Sequence, residues 1–195
     1  MRLLPLTGVA FAVLGILNVV LTDLPDLGDS RRTTAAFYAS ASHRHKEIVG
    51  AYLGVAAAIA FLLFVAAVAA RVRARRPELA TISLVAAGAF AAVATVAQAS
   101  FLAPTASVSL GFSSAETVDP GFAREASTLA DPILFGGAAL GGLAVVAASL
   151  ALGGPLRWLG VATGGLTLLA TFTFFPLLLM PLWAAGTGVT LAVRR

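Results

Sequence analysis

Long apolar runs alternate along this chain with short polar segments, at a spacing that suits helices crossing a bilayer. The runs cover 3–21, 48–70, 79–103 and 133–152, and a last one, 156–193, is nearly double length. None of the first four contains a Lys, Arg, Asp or Glu, and the last holds only Arg157, near its start. A hydrocarbon core about 30 Å thick takes about 20 apolar residues as helix, so uncharged runs of this length predict transmembrane spans. The pattern predicts an all-α fold: one polytopic transmembrane helical bundle over residues 1–195, with no separate soluble domain.

The double-length run is too long for one span and just long enough for two. Pro176 and Pro181 favour a break at 174–176, giving spans over 156–173 and 177–193. Elsewhere the boundaries follow from proline, glycine and capping residues. Pro77 and Pro104 bracket the third span, and Asp131-Pro132 predicts the entry to the fourth, with Asp131 as its cap. Gly153-Gly154-Pro155 closes that span. Asp29-Ser30 predicts the cap of a short helix over 33–45, or else an outward extension of span two. Phe112 and Phe122 are suited to anchor the loop 104–130 at the headgroup layer. Met1-Arg2 and the run 3–21 resemble a signal peptide, but the run is longer than the usual h-region and no Ala-x-Ala-like site follows. It is expected to stay as the first span.

Charge then decides between six spans and five. With six, one side of the membrane receives Arg2, the four arginines of 71–76, Arg157, Arg194 and Arg195, eight basic residues in all. The other side receives five: Arg31, Arg32, Arg44, Lys46 and Arg124. Five spans would move the C-terminal pair across and erase the bias. The positive-inside rule therefore predicts six spans with both termini in the cytoplasm. Twelve of the thirteen basic residues are arginine, and Ala, Gly and Val abound. That codon bias, with the topology, points to the plasma membrane of a bacterium.

Composition excludes some chemistry outright. With no cysteine there is no disulfide, thiolate metal site or cysteine nucleophile. Basic residues are few and sit beside apolar runs, which speaks against nucleic acid as a partner. Enzymes and ion-coupled carriers of the membrane usually keep a charged group at membrane depth, and none lies there in these runs, Arg157 being at the start of its own. No phosphate loop, HExxH or nucleophile triad is present, so the reading is non-enzymatic and no cofactor is expected.

Four groups of residues remain as candidates. His43 and Glu47 share a helix face at i, i+4 and, with a loop carboxylate such as Asp23, Asp26 or Asp29, offer a metal or proton-sensing site; a solvated collar that sets the depth of span two is the plainer reading. Asn18 and Gln98 are the amides within the spans, and with Asp131, Thr171 and Thr173 they outline a shallow cup open to the outside. Interhelical glue is the plainer reading of the amides. Gly50/Gly54, Gly137/Gly141 and Gly160/Gly164 each make a small strip on one helix face, suited to close packing. Arg71, Arg73, Arg75 and Arg76 fit contact with anionic lipid headgroups, or topology alone.

The stretch from Pro155-Leu-Arg157-Trp158-Leu-Gly160 through Pro181-Leu-Trp183 to Arg194-Arg195 resembles the closing hairpin of a broad group of bacterial six-span membrane proteins, catalogued as a domain of unknown function. The region 37–64, a polar stretch ending in His-Arg before an Ala-rich span, is similar too. The resemblance implies the six-span fold and no activity. The function expected is that of an interaction or accessory subunit, whose partners are membrane lipids and a helical protein or a second copy. The alternative is a small-solute or lipid transporter using the outward cup.

Overall fold

The computed structural model describes residues 3–22, 29–115, 117–169 and 178–193. Every element among them is helical. A 3₁₀ turn, Leu4–Leu6, leads into α1 (Thr7–Leu21), followed by α2 (Arg31–Ala39), α3 (Ala41–Val72) and α4 (Pro77–Ser109). Then come α5 (Pro120–Leu152), α6 (Gly154–Leu168) and α7 (Leu179–Val193). Four segments are long and apolar enough to cross a membrane: Leu4–Leu21, Ala41–Val72, Pro77–Ser109 and Gly121–Leu152. The chain is thus a membrane protein by length and composition of its helices. With 15 residues each, α6 and α7 rise only about 22 Å at 1.5 Å per residue.

The helices form a ring in which each packs chiefly on its chain neighbour. α1 lies on α3, α3 on α4, α4 on α5 and α5 on α6, while α7 returns to α1. Directions alternate. Gly8 of α1 lies against Phe64 of α3, and Thr22 against Gly50, so those two helices are antiparallel. Gly8 also abuts the backbone of Ala184, and Gly188 that of Pro5, so α7 runs back towards the end where α1 begins. Leu3, Val193 and the α3–α4 loop with its arginines therefore share one end of the bundle, the arginine end. α2 marks the opposite, capped end.

At the centre the aromatic side chains interlock. Phe11 meets Phe61 at 4.9 Å between ring centroids, Phe61 meets Phe90 edge-on at 5.2 Å, and Phe64 meets Trp183 edge-on at 5.5 Å. Lipid tails are as apolar as these rings, so burial by itself drives little association here. The helices are held by close packing and ring geometry, each such aromatic pair contributing about 0.5–1.5 kcal/mol.

Several helix ends differ from the sequence reading. Pro104 does not end α4, which continues to Ser109 with Pro104 inside it. Asp131-Pro132 does not begin a helix either: α5 starts at Pro120 under an Asp119 cap, whose carboxylate accepts from the Gly121 N–H at 3.1 Å, and Pro132 lies within it. A proline inside a helix forfeits one backbone hydrogen bond, and tertiary packing outweighs that loss here. Between α2 and α3 a second serine intervenes. Ser30 caps α2 through the Thr33 N–H, and Ser40, extended at φ −71°, ψ 113°, ends α2 and caps α3 through the His43 N–H. The expected helix over 33–45 is therefore two, and its second half is the extension of α3. The close at Gly153-Gly154 is as expected: both have φ above +60°, a conformation glycine adopts without penalty. The expected break at 174–176, and Thr171, Thr173, Asp23 and Asp26, lie outside the described residues.

Because α3, α4 and α5 outrun their apolar stretches at the same end, they build a cap beyond the spans. α2 lies across it. Tyr38 is 1% exposed and packs with Val118 and Ala123, flanked by Phe37, Val108 and Ala115, in a small core separate from the main one.

Candidate functional site

Two polar assemblies occupy the capped half of the bundle. The deeper one joins three helices. The Asn18 Nδ2 of α1 donates to the Gly50 carbonyl of α3 at 2.8 Å, to Thr22 Oγ1 at 3.2 Å and, most weakly, to Gln98 Oε1 of α4 at 3.4 Å. Gly54 makes the room. A Cβ there would stand 2.6 Å from Gln98 Cδ and 3.0 Å from Asn18 Nδ2, and one on Gly50 would stand 2.9 Å from Thr22 Oγ1. The first glycine strip and the two amides are thus parts of one clasp, a relation invisible in the sequence because Asn18 and Gln98 are far apart along it.

Of the five residues outlined as an outer cup, the structure brings Asn18 and Gln98 together. Asp131 sits exposed on α5 and is not part of the clasp, and Thr171 and Thr173 are outside the described residues. With Gln98 only 7% exposed, the amides spend their polar groups on helix-to-helix bonds. Such an arrangement can hold three helices in register but carries no titratable group and no nucleophile.

The second assembly is in the cap. His43 stacks on Phe37 with ring centroids 4.7 Å apart, and its Nδ1 is buried without a hydrogen-bond partner among the described residues. His45 is exposed, as the opposing faces of a helix require. Glu47 is 4% exposed, buried rather than solvated, so the solvated-collar reading fails at this residue. The Arg44 guanidinium donates to the Tyr38 carbonyl, tying α3 to the end of α2. Burial, and after it the nearby Glu47 carboxylate, push the Tyr38 phenol well above its ordinary value of 10.0. As for a metal, no three His, Asp or Glu side chains converge among the described residues.

Glycine strips proved the most legible feature. A Cβ on Gly137 would meet Val93 at 2.9 Å, one on Gly141 would meet Met180 Cε at 2.7 Å, and one on Gly164 the Gly142 carbonyl oxygen at 2.6 Å. Each strip therefore faces a neighbouring helix. Gly8 and Gly188, which make the α1–α7 crossing, carry no such spacing and escaped sequence reading. So did Ser149 and Trp183, both buried beside Gly160, whose Oγ and Nε1 have no hydrogen-bond partner among the described residues. At the arginine end, Arg71, Arg73, Arg75 and Arg76 are all exposed. No family model, no curated protein and no solved structure matches the chain.

Proposed function

We propose that this is a six-span protein of the bacterial plasma membrane, both termini cytoplasmic, working without catalysis as an interaction or accessory subunit. The eight-to-five division of basic residues supports this orientation, with the arginine end inside. Leu3 and Val193 at one end of the bundle agree with an even number of crossings. The observation that carries the functional reading is the cap. Three helices are extended past their apolar stretches and given a separate core under α2, although the bundle is already held by its glycine contacts and amide clasp. A built surface outside the membrane, beside spans with no charged group at their middle, suits recognition better than transport or chemistry.

The test is a photocrosslinking residue placed at Phe112, which is 82% exposed next to the cap, in cells expressing the protein at its native level. One discrete heavier species, identified by mass spectrometry as the same partner in replicate cultures, is the expected result. A crosslinker at Val20, on the lipid-facing side of α1, serves as the control. A cap that crosslinks to nothing, in a protein that carries a solute across the membrane of reconstituted vesicles, would overturn the reading in favour of a transporter.

A further inference from the structure

We propose that the bundle holds one acyl chain of a membrane phospholipid in a lateral cavity, in the leaflet on the capped side. The cavity has a volume of about 340 Å³ and a wholly apolar wall that includes Phe11, Gly15, Phe90, Leu134, Met180 and Leu182. It lies beside the first turn of α7, which begins at Leu179. Met180 lies against Gly141 and Phe90 belongs to the central aromatic cluster. Both Gly141 and Phe90 fall near the middle of their apolar runs, 133–152 and 79–103, so the start of α7 forms a floor close to the bilayer midplane. Above that floor α1, α4 and α5 continue towards the cap.

Depth and chemistry identify the occupant. Leu134 is seven residues from Gly141, so the wall rises about 10 Å above the floor at 1.5 Å per residue. Half of a hydrocarbon core about 30 Å thick is about 15 Å, the reach of one leaflet's chains, and the cavity accommodates most of that length. Dry apolar cavities of even about 150 Å³ exclude water and take up hydrocarbon. At this depth the surrounding medium supplies acyl chains and almost nothing else. Gly15 keeps the space open: no atom of the described residues lies within 4 Å of the place where its Cβ would stand. That vacancy distinguishes it from the packing glycines, whose absent side chains are replaced by a neighbouring helix.

The proposal requires only that the helices lie in a bilayer, and stands or falls apart from any partner at the cap. The test uses the purified full chain in vesicles of phosphatidylcholine carrying a diazirine near the chain terminus. Irradiation and peptide mapping should place label on Phe11 and Phe90, which are buried residues that surrounding lipid does not reach, as well as on Val13 and Val20 outside the bundle. Gly15→Leu places a side chain in the cavity, its Cβ meeting no atom of the described residues within 4 Å, and favours helix. It should abolish label on Phe11 and Phe90 while leaving Val13 and Val20 labelled, which also reports that the bundle has folded. Gly15→Ala should retain both sets. Unlabelled Phe11 and Phe90 in the native protein, or equal labelling of them in Gly15→Leu, would overturn the proposal. Displacement of the label by a trace of polyprenyl phosphate would overturn the acyl chain as occupant.

Discussion

Gly142 and Gly164 occupy each other's missing side-chain space: a Cβ on Gly142 would stand 2.7 Å from the Gly164 carbonyl oxygen, and one on Gly164 would stand 2.6 Å from that of Gly142. The contact is backbone against backbone, so nothing flexible can move aside. Gly142→Ala should therefore lower the thermal stability of the detergent-solubilised protein by about 1–3 kcal/mol, the usual cost of overpacking. Gly136→Ala, on the same helix but with nothing within 4 Å, should leave stability unchanged or raise it by up to about 1 kcal/mol through helix propensity. Equal effects from the two would mean that α5 and α6 do not cross at this point.

A second expectation separates packing from access at the amide clasp. In the cysteine-free background, Gln98→Cys should stay inert to a membrane-impermeant thiol reagent, whereas Asp131→Cys, exposed on α5, should react. The Asn18→Ala and Gln98→Ala pair should show a coupling energy of about 0.6 kcal/mol in a double-mutant cycle, the scale typical of interhelical hydrogen bonds in bilayers. Rapid labelling at Gln98→Cys would restore an open cup.

Alkaline pH probes the cap. The Tyr38 phenol titrates well above 10.0 in the folded protein and near that value once unfolded. Above pH 10 the unfolded chain thus binds fewer protons than the native one, so stability is complete below pH 10 and declines as pH rises beyond it. Thermal melts between pH 9 and 12 should show this loss, and Tyr38→Phe should reduce it.

Orientation can be tested through the arginine end. Changing Arg71, Arg73, Arg75 and Arg76 together to Asn would leave four basic residues on that side against five on the other, removing the bias. Paired reporters at the C-terminus should then detect chains in both orientations. An unaltered single orientation would show that something besides these charges sets it.

The first four spans were legible because hydropathy registers where a chain meets lipid. Helix ends were not, because hydropathy falls at Pro104 and Pro132 while the helices go on into water. What carries them on is Tyr38 packing on Val118 and Ala123, a contact between segments distant in sequence. Asp119-Pro120, which has the same helix-start chemistry as Asp131-Pro132, begins α5 instead, and the sequence reading did not single it out. Glycine strips spaced by four announced their role, whereas Gly8 and Gly188 act singly, each against a backbone supplied by the other end of the chain. The clasp needed the fold for a similar reason: an isolated Asn and an isolated Gln say that each needs a partner, not which one.

The 32 residues of α3 have a consequence for what the molecule looks like from outside. At 1.5 Å per residue the helix is about 48 Å long, against about 40–45 Å for a whole bilayer with its headgroups. With the arginine end held at the opposite interface, the flanks of the cap stand among the headgroups and its upper surface clears them by only about one helix diameter. From the aqueous side the protein is a low pedestal. A soluble partner reaching for it would have to lie almost flat on the membrane, touching phospholipid and protein in the same contact.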